Sequence, residues 1–285
     1  MLCYNCALMQ KPGPIYTMEL FAPTREALLG LLDSLTPEEW HATTVVPAWT
    51  VKDIAGHLLK GELGILARRR DGYCMPGVSL QGWDDLVAFI NTLNRTWVEA
   101  ARMLSPRMIC DLLRWAAPQA EEYFASLDPH ATGVPVDWVG PEPAPNWLDL
   151  AREYTERWHH QQQIRDAVAK PGLKEARYLA PVLDAFVRAL PRTFAGVKGR
   201  LGKQVKLTIT GEAGGTWCLL REESSEWHLY LGAGDSPTTE VSLDQDDAWR
   251  LFTKGLTPEE ARQRAQITGD SALAAKVFDT LSIIG

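Results

Sequence analysis

The sequence predicts a two-domain protein: an all-α four-helix bundle followed by a smaller α+β domain. Two periodicities and one break carry this. Up to about residue 170 apolar residues recur three and four apart, the spacing of one helix face. From about residue 205 apolar and polar residues alternate, the spacing of a half-buried strand, and short helical stretches return afterwards. Between the two, Pro171-Gly172 ends a helical run, because proline cannot continue a helix and glycine accepts its last turn.

In chain order, residues 24–35 form an amphipathic helix, and Thr36-Pro37-Glu38-Glu39 reads as a capping box with proline at the first helical position. Thr50-Val51-Lys52-Asp53 opens a helix to about Arg70. Another starts near Ser79, its stripe running through Leu86, Phe89, Ile90, Leu93, Trp97, Ala101 and Leu104. Ser105-Pro106 caps the next, in which Pro118 is expected to cause a kink or split. Residues 128–146 hold five prolines and Trp138 without periodicity, as in a binding or lid loop. Asn146 then caps a helix from Trp147 to about Lys170. A linking helix over about 174–195 leads to strands near 205–211, 216–222, 226–231 and 238–243, then helices near 245–254, 258–265 and 270–282. The expected divisions are a leader over 1–17, a bundle over 18–172 and the α+β domain over 173–285.

Composition narrows the function. A net charge of −7 argues against a nucleic-acid or anionic-membrane partner. Arg68-Arg69-Arg70 is followed at once by Asp71 and reads as a solvated helix end. No apolar run approaches the length of a membrane span, and no secretory signal pattern is present, so a cytoplasmic protein is expected, monomeric or a small homo-oligomer. Five cysteines make no disulfide framework. Cys3 and Cys6 form a C-x-x-C without a second pair, so they read as part of a loose leader rather than a zinc site.

Chemistry concentrates on three side chains. Glu156 and His160 are four apart and share a helix face, a spacing that suits a divalent cation and equally a plain hydrogen-bonded pair. One imidazole from a facing helix would complete a two-histidine, one-carboxylate site, and His57 is the available candidate. Taken singly, a histidine at that position is also common in ordinary cores. His159 is rotated about 100° from that focus, as packing or support. Arg157 beside Glu153 reads as helix-surface pairing.

The stretch Trp49 to Leu58, with Trp-Thr-Val-Lys-Asp-Ile before His57, and the run Arg152-x-x-x-Glu156-x-x-x-His160 resemble the DinB-like superfamily. Within it the chain is similar to the mycothiol-dependent maleylpyruvate isomerase family, and the region around Trp217, Trp227 and Val277 to Ile284 resembles its sterol-carrier-protein-2-like domain. The resemblance implies metal ligation by His57, Glu156 and His160. It also implies that an arginine of the second domain reaches the site, with Arg200, Arg221 and Arg250 as candidates. Where many members carry an aspartate, this chain has Gln163, which can orient a ligand but not accept a proton.

The expected function is that of a divalent-metal enzyme, zinc in the first place, with a low-molecular-weight thiol such as mycothiol as co-substrate. It would isomerise a small electrophile or transfer the thiol to it. Gln163, Trp49 and Trp138 are the expected substrate contacts. The rivals are a hydrolase using metal-bound water and a non-catalytic carrier or sensor of small molecules or lipids.

Overall fold

The computed structural model describes residues 9–78, 81–222, 226–234 and 236–283, which form two compact units. The helical unit holds Tyr16–Ala131 and Arg152–Leu173. The α+β unit holds Thr132–Ala151 and Lys174–Ile283, with the N-terminal segment up to Ile15.

In the helical unit, α1 (Met18–Asp33) and the short α2 (Pro37–Trp40) precede α3 (Val51–Gly64), which a π-helical turn prolongs over Ile65–Arg70. Then come α4 (Trp83–Ala101) and α5 (Pro106–Ala125). A hairpin of β1 (Thr132–Pro135) and β2 (Pro143–Pro145) belongs to the other unit, and α6 (Asn146–Ala167) brings the chain back. Leu28, Leu32, Ile54, Leu59, Ile109, Leu113 and Ile164 build the core, so the bundle consists of α1, α3, α5 and α6. Each such buried aliphatic side chain stabilises by about 1.5–3 kcal/mol, more than the ~1 kcal/mol of a typical cap.

The sequence pattern puts the four long bundle helices at starts near 50, 79, 106 and 147, whereas in the core α1 stands in place of the one near 79. α4 has the clearest stripe in the sequence, yet Leu86, Phe89, Ile90 and Leu93 stay half exposed; among its described side chains only Val98 and Ala101 are buried. It is fixed to α3 at its C-terminal end. The Trp97 indole donates to the Gly56 carbonyl at 2.8 Å, and a Cβ on Gly56 would lie 3.2 Å from that of Ala101. α4 also starts later than expected, at Trp83, and residues 79 and 80 lie outside the described set. Pro118 does not split α5, which runs unbroken to Ala125. Only one backbone bond is lost there, and the buried Leu113, Ala117 and Ala120 hold the helix in place.

In the α+β unit, α7 (Ala176–Val187) and α8 (Leu190–Thr193) replace the single linking helix. Strands β3 (Gln204–Thr210), β4 (Gly215–Arg221), β5 (Trp227–Leu231) and β6 (Thr239–Asp244) follow, then α9 (Gln245–Phe252) and α10 (Pro258–Arg264). An edge strand not foreseen in the sequence, β7 (Gln266–Gly269), precedes α11 (Ser271–Val277). The sheet order is β5-β4-β3-β6-β7, with β3 and β6 parallel and every other pair antiparallel. Val205, Leu207 and Ile209 are each 2% exposed, as alternation on one buried face requires. The β3–β4 turn needs Gly214, where a Cβ would lie 2.0 Å from the Ile209 carbonyl oxygen.

The expected loose leader is tied down from Gln10 onward. The Leu231 amide donates to the Gln10 carbonyl, Arg188 binds the Pro12 and Gly13 carbonyls, and Ile15 is buried. Cys3 and Cys6 lie outside the described residues. Among the described residues no helix is long and apolar enough to cross a membrane.

Helix α3 starts from a reciprocal cap. Thr50 Oγ1 accepts from the Asp53 amide, while the Asp53 carboxylate accepts from the Thr50 amide and hydroxyl. Arg102 donates to both oxygens of the same carboxylate, at 2.9 and 3.0 Å. Burial pushes the Asp53 carboxyl up, but Arg102 and Thr50 outweigh it and hold it below the ordinary aspartate value. Its contribution is therefore present at neutral pH and fades as pH falls through the lowered folded value. Asp53→Ala should cost about 2 kcal/mol, from the cap and a charge-assisted bond, read by urea unfolding with circular dichroism. It should also flatten the acid limb of the stability profile.

Candidate metal centre

His57 sits two turns into α3, while Glu156 and His160 are one turn apart on α6. The bundle core presses these helices together, and one donor atom from each of the three residues lies within 4.8 Å of the others. The His57 and His160 rings meet edge to face at 4.6 Å between centroids. His160 Nε2 is 3.5 Å from Glu156 Oε2. His57 Nδ1 is buried without a hydrogen-bond partner, a cost of about 1–3 kcal/mol for a polar atom unless something binds it.

Electrostatics sets His57 and Glu156 in their ligating forms. Burial, with the neighbouring His160 second, pushes the His57 pKa well below the ordinary histidine value, so its ring is neutral at pH 7. Burial would raise the Glu156 carboxyl. The bond from His160 and the charges of His159, His160 and Arg152 outweigh it and keep Glu156 well below the usual carboxylate range. Gln163 Oε1 lies 2.8 Å from His160 Nδ1, at hydrogen-bond distance, so the amide holds the ring whose other nitrogen faces Glu156. His159 stands outside the cluster. Its Nδ1 donates to the Thr155 carbonyl at 2.9 Å, and burial lowers its pKa to about 4.

Trp49 packs beside the cluster, its ring centroid 5.2 Å from that of His57. The residue before it, Ala48, has φ of +65°, a left-handed conformation that costs a non-glycine residue about 1 kcal/mol or more. Trp138 belongs to the α+β unit, where it is 5% exposed and packs edge-on against Phe186 at 6.3 Å. In that unit Arg221 donates to the Val197 carbonyl, Arg250 stacks on Trp249 at 4.4 Å, and Arg200 is exposed.

The ionic cluster next to these residues leaves little trace in the local sequence pattern. Arg157 bridges Glu62 of α3 and Glu153 of α6, both at 2.8 Å, and lies over the rings of Phe21 and Phe124. Arg152 and Arg69 also reach Glu153. The expected surface pair is thus a buried interhelical bridge, and Arg69 of the expected solvated run is half buried in it. Helical spacing shows which residues share a face, not what covers that face. A cavity of about 20 Å³ lined by Thr24, Glu62, Glu121, Arg157 and Gln161 adjoins the bridge, with room for a water and not for a substrate.

The fold and the cluster define a helix bundle carrying a two-histidine, one-carboxylate donor set, in one chain with an α+β unit. The family model for the N-terminal domain of mycothiol maleylpyruvate isomerase matches residues 21–165, and the chain belongs to that family. Among solved structures, a mutant of the mycothiol-dependent maleylpyruvate isomerase is similar over 88% of this chain and 91% of its own, at TM-score 0.52 and 11% identity. That likeness is one of fold. The mycothiol-dependent maleylpyruvate isomerase without that mutation matches over 82% and 86% of the two chains, at TM-score 0.49 and 12% identity. Sterol carrier protein 2 like 2 of Aedes aegypti matches over 35% of this chain and 95% of its own, at TM-score 0.28 and 19% identity. No curated protein matches the chain.

Removing Arg157 would leave two carboxylates buried without their shared cation. Arg157→Met should therefore destabilise by about 3–5 kcal/mol. Arg157→Lys should recover only part of this, since an ammonium cannot bridge two carboxylates as a planar fork does. Chemical denaturation of the variants measures both.

Proposed function

We propose that the protein is a divalent-metal-dependent enzyme that uses a low-molecular-weight thiol, mycothiol or a similar one, to isomerise a small electrophile or to transfer the thiol to it. The observation that carries this reading is the convergence of His57, Glu156 and His160 donors within 4.8 Å in a member of this family. The donor set fits a zinc-like ion: two imidazoles, that of His57 neutral, one ionised carboxylate, and a buried nitrogen with no hydrogen-bond partner.

The residues divide the work. His57, His160 and Glu156 would hold the ion. Gln163 holds the His160 ring from its Nδ1 side, with Nε2 facing Glu156. Arg152 helps to keep Glu156 ionised. Trp49 supplies an apolar wall beside His57 and limits the water around it. A divalent cation held there supplies a Lewis-acidic position that keeps a bound thiol deprotonated at neutral pH. The chain's own described cysteines do not fit the nucleophile's part. Cys110 and Cys218 are buried, with the Cys110 thiol pushed up to about 11 by burial, and Cys74 is exposed and donates to the Gly72 carbonyl.

In this reading protein purified without chelator carries about one equivalent of zinc or a similar metal by elemental analysis. Its turnover of an activated alkene requires added thiol. His57→Ala loses the metal and all thiol-dependent turnover with helix content intact, whereas His159→Ala retains the metal. Gln163→Ala weakens metal affinity by about 10–100-fold in chelator competition, the usual effect of removing a hydrogen bond that orients a ligand. Thiol-independent turnover would make the protein a hydrolase instead, and protein with no affinity for divalent metals would end the reading.

A further inference from the structure

The cavity beside the ionic bridge lies where four helices meet, with Thr24 of α1, Glu62 of α3, Glu121 of α5, and Arg157 and Gln161 of α6 in its wall. Several polar groups around it lack a partner. Thr24 is 2% exposed, and its Oγ1 has no hydrogen-bond partner in the protein. Among the described residues, the buried Glu62 carboxylate takes a single hydrogen bond, on Oε2, from Arg157 Nη2 at 2.8 Å. Arg157 donates through Nη1 and Nη2 alone, to Glu153 and Glu62, and no bond leaves its Nε. The other polar residues of the wall are satisfied. Both oxygens of Glu121 accept from Arg25, while Gln161 donates to the Thr24 carbonyl and accepts from Arg165. One carboxylate oxygen, one guanidinium N–H and one hydroxyl are therefore unmet around the same cavity. Leaving buried groups in that state costs more than an ordinary hydrogen bond returns.

Size and charge define the guest. The cavity measures about 20 Å³, more than the ~10–15 Å³ that one water needs. Two arginines, Arg25 and Arg157, and two glutamates, Glu62 and Glu121, balance in its wall, so neither an anion nor a cation is favoured. The guest must accept from an N–H and donate to a carboxylate, whereas the hydroxyl can take either part. Water does all of this with three bonds, the usual number for a buried water. A donor on Oε1 also favours the ionised carboxylate that the bridge requires, against the burial that pushes the Glu62 carboxyl up.

We infer that this cavity is a binding site for one resident water, which accepts from Arg157 Nε, donates to Glu62 Oε1 and bonds the Thr24 hydroxyl. The water extends the α3–α6 bridge to α1, so that three helices share one polar network. The same atoms make this network whether or not the neighbouring centre holds a metal.

A high-resolution crystal structure of the full-length protein tests the site itself. It should show an ordered water within about 2.5–3.2 Å of Arg157 Nε, Glu62 Oε1 and Thr24 Oγ1. Thr24→Val tests the energetics, because its sign differs between a wet and a dry cavity. The two residues are alike in shape and both branch at Cβ, so helix propensity changes little. With the water in place the variant loses one of its bonds, and the folding equilibrium constant from urea unfolding should fall about three- to tenfold. In a dry cavity valine would only remove an unmet hydroxyl, and the constant would rise. A dry cavity, a water out of reach of Thr24 Oγ1, or a Thr24→Val protein at least as stable as the wild type overturns the inference. Should Thr24→Val fail to fold, the wild-type density decides. Neither measurement involves zinc or thiol, so the proposed function stands or falls separately.

Discussion

The candidate centre depends on one constraint, the register between α3 and α6. Donors from two helices meet within 4.8 Å only if those helices neither slide nor rotate against each other. Arg157 enforces this. It lies three residues before His160 and grips Glu62, five residues after His57, while Glu153 closes the bridge from its own helix. Such a bridge adds little net stability, because desolvating the charges costs about as much as their attraction returns. Its energetic weight lies in the alternatives, since any other register would leave buried charges unpaired. The apolar core of α1, α3, α5 and α6 supplies the stability, and the ionic bridge selects one arrangement of it.

The same economy is visible at the start of α3. One carboxylate, Asp53, closes the helix cap with Thr50 and pairs with Arg102, which follows the end of α4. Trp97 and Ala101 then set α4 against Gly56, next to His57. The remainder of α4 keeps a half-exposed apolar face and brings Asn94 to Lys60. Thus α4 serves the surroundings of the centre more than the core. Gln163 makes a related contribution on α6, where its amide oxygen lies 2.8 Å from His160 Nδ1 and fixes the ring.

Much of this was legible in the sequence, and for a physical reason. Caps, periodicity and ligand spacing are local properties, so Thr50 and Asp53, the helix frames, and Glu156 with His160 could be read directly. His57 came from the need for an imidazole on a facing helix together with the family resemblance. What escaped depends on partners distant in the chain. The stripe of α4 is as regular as that of a core helix, yet periodicity does not say whether anything covers it. Arg157 and Glu153 have the spacing of a surface pair, and their burial depends on Glu62, Phe21 and Phe124 from other helices. Strand β7 has four residues, too few for alternation to show, and exists because β6 offers it an edge. Lys60 and Asn94 lie 34 residues apart, with nothing local to link them.

The proposed centre joins two imidazoles and one carboxylate of this bundle in a single metal site with room for a thiol. X-ray absorption spectroscopy at the zinc edge reads this on protein loaded with one equivalent of zinc, before and after addition of a thiol. Only nitrogen and oxygen neighbours at about 2.0–2.2 Å are expected in the first state, with imidazole outer-shell scattering equivalent to two histidines. Adding the thiol should bring in a single sulfur at about 2.3 Å. Sulfur neighbours before any thiol is added, a coordination shell lacking imidazole, or a shell that the thiol leaves unchanged would contradict it.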